Sequence, residues 1–295
     1  MDQIKLILKL TRWPEFVPFT TILTWLGGLT AHQVYDAKLD WRLGVMLIAN
    51  LAAMAYAFMI NEIEDAEDDA KDPERAHRNP MVTGELSKQT AWMAASGMVV
   101  VAVIAYALCG TLPFIIGLIT LALAHLYSWK LVRLKARPVI DIISHALMLS
   151  TLLYLAPFYI YADNLGTLWS IAVVTFLISA NGQLYNQERD FEVDQQAGLH
   201  NTASIIGKTF TGYLATGTII GSILCLIIAI FNDIFPLWLG LIPLISAPVV
   251  FFLFRNKTTD MRGSETDDLM GLIQMQLLLI ANITLIGWLI AVFIA

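Results

Sequence analysis

Asn61, Asp65 and Asp69 stand four residues apart, as N-x-x-x-D-x-x-x-D, directly after a long apolar run. The pattern returns after a second apolar run as Asn186, Asp190 and Asp194. Residues four apart on a helix lie above one another on one face, so each trio predicts a polar stripe at a helix end. Stripes of hard oxygen ligands suit Mg²⁺, which takes one or two carboxylates and completes its shell with water and phosphate oxygens. Either copy alone reads as a solvated acidic helix end. Two copies at matching places predict two stripes that face each other and hold a diphosphate through Mg²⁺.

The elements that must position these stripes are membrane-spanning. Of the 295 residues 57% are hydrophobic and 14% charged, with mean hydropathy +0.67; a soluble chain carries about a quarter charged residues. A helix of about 20 residues crosses the hydrocarbon core. Apolar runs of that length fall at 15–35, 41–61, 89–109, 111–129, 138–161, 166–187, 210–231, 235–254 and 269–294. The expectation is therefore an all-α polytopic membrane protein of nine transmembrane helices, forming one domain over residues 1–295. Residues 1–12 mix Lys5, Lys9 and Arg12 with Ile and Leu and read as a surface helix. Cys109 and Cys225 lie in apolar spans, which argues against a disulfide framework. No basic stripe suits nucleic acid.

Nine spans sort the cations. Of the 18 lysines and arginines, only Lys38 and Arg42 fall on one side; the remainder share the side of the N-terminus, which the positive-inside rule makes cytoplasmic. Both acidic stripes lie there. Four crossings separate them, which predicts two parallel repeats, about 15–129 and 138–254, followed by a ninth helix at about 269–294. A site between related halves is a common membrane-protein plan. The expected location is a cell membrane, with the site facing the cytoplasm.

The surrounding residues extend the pattern. Arg78-Asn-Pro-Met-Val-Thr-Gly84-Glu-Leu-Ser87 follows the first stripe, and Gln195-Gln-Ala-Gly198 and Asn201-Thr-Ala-Ser-Ile-Ile-Gly207 follow the second. Between them lies Tyr127-Ser-Trp-Lys130-Leu-Val-Arg133-Leu-Lys135-Ala-Arg137-Pro138-Val-Ile-Asp141. Together these resemble the UbiA-type intramembrane prenyltransferase family, whose first aspartate-rich motif, R-P-x-x-x-G-x-x-S loop, Tyr-Ser plus basic segment and second aspartate-rich motif they match in order. Two positions depart: an Asn is inserted between Arg78 and Pro80, and Asn201 stands where the family pattern has Thr. The resemblance implies Mg²⁺-dependent transfer of a prenyl group from a polyprenyl diphosphate to a lipophilic acceptor of aromatic, isoprenoid or glycerol-phosphate type.

On this reading Asp65, Asp69, Asp190 and Asp194 are the metal ligands. Breaking an allylic C–O bond builds negative charge on the leaving diphosphate, which basic groups stabilise; Lys130, Arg133 and Arg137 are the candidates, with Tyr127 beside them. Asn61, Arg78, Lys135, Tyr185 and Asn186 are candidate substrate-binding residues. Asp141 is another, lining an acceptor pocket, unless it forms a helical ion pair with Arg137. Tyr127, Tyr154 and Tyr185 offer aromatic faces to an allylic cation. Glu62, Glu64, Glu67, Asp68, Glu188 and Glu192 fall off the stripe faces and read as solvated, with Asp68 the exception to watch because it borders Asp69, while His125 and His145 read as hydrogen-bonded core residues. Two other functions use the same residues. A terpene cyclase would ionise the same donor without an acceptor, and a cation transporter would use the acids as ion sites, although it would place them near the bilayer midplane.

Overall fold

The computed structural model describes residues 3–71, 73–196, 198–260, 265 and 268–294. Among them the chain is all-helical, apart from an isolated bridge between Thr259 and Glu265. In order the helices are α1 (Gln3–Thr11), α2 (Trp13–Tyr35), α3 (Arg42–Asp69), α4 (Pro73–Arg78), α5 (Lys88–Cys109), α6 (Thr111–Ser128), α7 (Ile140–Ala146), α8 (Leu152–Phe158), α9 (Trp169–Arg189), α10 (Phe191–Gln196), α11 (Thr202–Ile206), α12 (Lys208–Phe231), α13 (Leu241–Leu253) and α14 (Leu269–Ile294).

Seven segments among the described residues are long and apolar enough to cross a membrane: Arg42–Asp69, Lys88–Cys109, Thr111–Ser128, Ile140–Phe158, Gly166–Arg189, Lys208–Phe231 and Gly271–Ile294. The protein is a multi-pass membrane protein. The other two expected spans are helical but differ. The α2 helix is long enough yet less apolar, because Thr20, Thr24, Gly27, Gly28 and Thr30 face the protein interior rather than lipid. The α13 helix has only 13 residues, preceded by a 3₁₀ turn at Leu237–Gly240; at 1.5 Å per residue it reaches about 20 Å, short of the roughly 30 Å hydrocarbon core.

The expected span at 138–161 is broken. Between α7 and α8 the chain takes a π-helical turn at Leu147–Thr151, and Pro157, which has no amide hydrogen to give, lies inside α8. Side chains take up carbonyls along this segment: Thr151 Oγ1 donates to the Ala146 carbonyl at 3.4 Å and Asn50 Nδ2 to that of Leu153 at 3.0 Å. Irregular helix is tolerated at membrane depth when protein groups satisfy it in this way. Asn50, fully buried, also donates to Thr24 Oγ1 at 2.9 Å and accepts from the Tyr106 hydroxyl at 2.8 Å. One amide thereby joins α2, α3, α5 and α8.

Close packing fixes the centre of the bundle. A Cβ on Gly27 of α2 would sit 2.3 Å from the Tyr154 carbonyl oxygen of α8, so only glycine permits that approach. Gly110, at φ 122°, makes the corner between α5 and α6, a conformation that side chains resist. The helix α3 packs chiefly on α5, and α9 chiefly on α12. By contrast α12 turns large apolar side chains such as Ile220, Ile223 and Leu224 outward, where lipid would cover them.

Topology is open to direct measurement. In a chain whose Cys109 and Cys225 are replaced, a cysteine at Thr83 or Leu199 is expected to react with an impermeant reagent from one side of sealed vesicles, and one at Asn164 only from the other. Labelling of the Thr83 and Asn164 positions from the same side would refute nine crossings.

Candidate active site

The first stripe is built on one uninterrupted helix, α3. Asn61 Oδ1 accepts from Lys135 Nζ at 3.0 Å and from the Ser128 hydroxyl at 3.1 Å. Asp65 forms an ion pair with Lys135 through Oδ2, and Arg133 lies 3.6 Å from its Oδ1. Asp69 accepts from Asn79 Nδ2 at 3.1 Å. Opposite charges therefore meet in one partly buried cluster, formed by the last turns of α3 and the loop after α6.

The loop delivers its cations unevenly. Arg133 has the left-handed backbone (φ 45°) and a 3₁₀ turn follows at Leu134–Ala136, which separates its side chains. Arg133 reaches Asp68 at 2.9 Å as well as Asp65, and Lys135 reaches Asp65 and Asn61. Lys130 instead pairs with Glu67 at 2.5 Å, on the neighbouring face of α3; that hydrogen bond holds its ammonium pKa above the usual lysine range. Arg137 is exposed and donates to the Val132 carbonyl of its own loop at 2.9 Å. Arg78 is exposed at the end of α4. The sequence reading set Lys130, Arg133 and Arg137 as the catalytic cations; the structure brings Arg133 and Lys135 to the stripe.

The second stripe is not one continuous helix. Asn186 lies in the last turn of α9, Asp190 sits at the break with φ −88° and ψ 9°, and Asp194 lies in α10. The four-residue hydrogen-bond rhythm survives the break, since Asp190 N donates to the Asn186 carbonyl and Asp194 N to that of Asp190, both at 2.9 Å. Asp190 takes two hydrogen bonds from Arg189, at 2.9 and 3.2 Å. Asp194 accepts from Asn201 Nδ2 at 2.9 Å. Tyr185 turns its hydroxyl to Asp268, and the Arg189 guanidinium lies 5.8 Å over its ring.

Tyr127 lies near the end of α6, next to the Ser128 that meets Asn61. The Tyr127 hydroxyl accepts from Gln183 Nε2 at 3.0 Å. Among the described residues no three His, Cys, Asp or Glu side chains gather into a ready-made metal cage, so a bound cation would depend on other oxygens to complete its shell.

A model of the UbiA prenyltransferase family matches residues 17–280. The chain belongs to that family. UbiA membership makes it an enzyme of the prenyltransferase type. Solved structures agree on the fold. A UbiA homologue from Archaeoglobus fulgidus, described as bound to GPP and Mg²⁺, aligns at TM-score 0.74 with 23% identity, covering 98% of this chain and 100% of that one. An apo UbiA homologue from Aeropyrum pernix K1 aligns at 0.71 with 16% identity over 94% and 98% of the two chains. A digeranylgeranylglyceryl phosphate synthase aligns at 0.65 with 17% identity over the full length of both. No curated protein matches this UbiA chain by sequence.

Several expected residues have other partners in this UbiA fold. Asp141 forms no ion pair with Arg137. It is fully buried at the start of α7 and accepts from Thr202 N and Gln187 Nε2, both at 2.7 Å, and from the Thr202 hydroxyl. Both its oxygens are committed to protein groups, which leaves the acceptor-pocket reading without support. Glu62, expected to be solvated, is buried against Arg12 at 2.8 Å; Arg12 also holds Glu15. Tyr154 is fully buried and shares a 3.3 Å hydrogen bond with Thr30, within the packed core rather than at the stripes. Glu67 and Glu192 are exposed as expected, but Glu64 and Glu188 are half-buried. His145 and His125 are hydrogen-bonded, the former with Ser179 and the latter with Tyr56.

The sequence reading missed Asn79 and Gln187, and it gave Asn201 and Thr202 no role. Asn79 is fully buried and Gln187, Asn201 and Thr202 are nearly so. The signal available was the pair of departures from the family pattern at Asn79 and Asn201; Gln187, next to Asn186, carried none.

Proposed function

We propose that this chain transfers a prenyl group from a polyprenyl diphosphate to a lipophilic acceptor within the membrane, with Mg²⁺ held at the acidic stripes. The observation that carries the reading is at Asp65. Its Oδ1 is buried without a hydrogen-bond partner, and so is the Nε of Arg133, whose Nη2 lies 3.6 Å from that oxygen. Each buried polar atom left unpaired costs roughly 1–3 kcal/mol. An orphaned carboxylate oxygen close to a guanidinium with an orphaned N–H suits a ligand that brings both a cation and an anion, which a magnesium diphosphate does. GPP and Mg²⁺ in the Archaeoglobus fulgidus homologue support the same ligand class.

Asp65, Asp69, Asp190 and Asp194 would hold Mg²⁺, with Asn61 and Asn186 offering amide oxygens on the same stripes. Bound there, Mg²⁺ supplies Lewis-acid stabilisation of the charge that builds on the leaving diphosphate. Arg133 and Lys135 bind the diphosphate oxygens as the allylic C–O bond breaks and its electron pair leaves with the diphosphate; Lys130, Arg137 and Arg78, all exposed, would line the approach to them. Tyr127, hydrogen-bonded to Gln183 of α9 and adjacent to the Ser128 that meets Asn61, would offer its ring to the allylic carbon. The acceptor then supplies the electron pair of the new bond and loses a proton. The apolar helices keep water from capturing the cation first.

The topology that serves this chemistry is nine crossings in two parallel four-helix repeats plus α14, with both stripes at the cytoplasmic leaflet. The matching association of α3 with α5 and of α9 with α12 supports the repeat.

Purified protein given donors of several chain lengths and a panel of acceptors is expected to release diphosphate and form a prenylated product. Release is expected to stop in EDTA and resume with excess Mg²⁺, because bare carboxylates repel the donor. Undiminished turnover in the chelator would remove Mg²⁺ from the reading, and a cyclic hydrocarbon formed without any acceptor would replace transfer by cyclisation.

A further inference from the structure

Each stripe ends in an aspartate that accepts from a buried asparagine lying beyond its helix. Asn79 Nδ2 donates to Asp69 Oδ2 at 3.1 Å, ten residues back, and Asn201 Nδ2 donates to Asp194 Oδ2 at 2.9 Å, seven residues back. Neither asparagine is more than 2% exposed. In both cases the amide orientation is set by the other end of the side chain. Asn79 Oδ1 accepts from Met81 N at 3.1 Å, and Asn201 Oδ1 accepts from Ser204 N at 2.9 Å as the N-cap of α11. A backbone N–H can only donate, so the carbonyl oxygen must face it and the NH₂ group must face the carboxylate.

We infer that Asn79 and Asn201 are paired positioning residues, each holding the last aspartate of its stripe in the orientation that binds the divalent cation. The inference rests on the function proposed above. Each asparagine would act through its aspartate. Each fixes one oxygen of a carboxylate and leaves the other oxygen's direction defined, which is how outer partners tune a metal ligand. The arrangement occurs once in each half of the chain, on loops whose spacing from the stripe differs, so the two sites share a function without sharing a sequence register. Asn79 also donates to the Glu62 carbonyl at 2.9 Å, which ties the first loop to α3 itself.

The two roles of each asparagine can be separated. Serine retains a side-chain oxygen that caps the backbone N–H but has no amide to reach the carboxylate. Asn79→Ser and Asn201→Ser in the full-length protein are expected to unfold within a few degrees of the parent. They are expected to bind Mn²⁺, followed alone by its paramagnetic resonance signal, about tenfold more weakly or worse, the range for loss of an outer partner. The Mg²⁺ concentration giving half-maximal diphosphate release should rise by a similar factor, with the parent kcat recovered at saturating Mg²⁺. Asn201→Thr, which keeps the cap in the same way, is the second test at that site should Asn79→Ser fold poorly. Unchanged Mn²⁺ affinity and Mg²⁺ requirement in the folded variants would overturn the inference. So would a loss of turnover that no Mg²⁺ concentration restores, or unfolding of all three variants, since either marks a purely structural role. A parent protein that neither binds Mn²⁺ nor responds to Mg²⁺ would instead remove the proposed function on which the inference rests.

Discussion

Asp65→Asn and Asp190→Asn are each expected to lower turnover by at least about a hundredfold, the scale of losing one group that stabilises developing charge. Asparagine retains the size and hydrogen bonding of the side chain and removes its charge. At Asp65 that charge faces Lys135 and Arg133 and includes the orphaned Oδ1; at Asp190 it faces Arg189. The comparison variants are Glu64→Gln and Glu192→Gln. Glu64 accepts from the Lys130 amide at 3.0 Å, which glutamine can still do, and Glu192 is an exposed partner of Lys208. Exposed pairs are worth about 1 kcal/mol or less, so these two changes are expected to stay within about threefold. A diffuse acidic field, screened over roughly 8–10 Å, would treat all four positions alike. Equal losses at all four in steady-state diphosphate release would therefore mean that the carboxylates do not bind the cation directly.

Asp141→Ala is expected to cost about 3 kcal/mol or more of stability, read as a lowered midpoint of unfolding in detergent. The carboxylate is fully buried and holds Thr202 and Gln187. Gln187 in turn accepts from Ala203 N at 3.0 Å, and Val139 N donates to the Thr202 hydroxyl at 2.8 Å. Truncation leaves several buried donors unpaired at once, at roughly 1–3 kcal/mol each before relaxation. The loss falls on the joint between α7, α9 and the loop carrying Asn201, so the second stripe should loosen with it. Thr202→Val, which removes one hydroxyl and keeps the backbone N–H, is expected to cost only about 1 kcal/mol. A variant at Asp141 that unfolds like the parent but has lost turnover would restore the acceptor-pocket reading.

Much of this protein is written locally. Four-residue spacing alone places Asn61, Asp65 and Asp69 on one face of α3, because helical geometry needs no distant partner to set it. Hydropathy runs locate the crossing helices for the same reason: lipid imposes its requirement on each segment separately. The seven segments that satisfy it fall where apolar runs occur, and α2 and α13 depart because one is shielded by its neighbours and the other is short. The chemistry proposed for the site rests on residue type, since clustered carboxylates beside basic loops suit few ligands.

Contacts between distant residues were not legible in that way. Lys130, Arg133, Lys135 and Arg137 are equivalent by type and near neighbours in the chain, and the left-handed turn at Arg133 decides which of them meets Asp65. Glu62 looks like its acidic neighbours until α1 and α2 bring Arg12, fifty residues away, against it. Asp141 finds Thr202 sixty-one residues on, and the helix break at Asp190 lies inside a sequence that continues a helical rhythm. In each case the deciding energy is the pairing of a buried polar group, and that pairing exists only once packing has brought the partner to it.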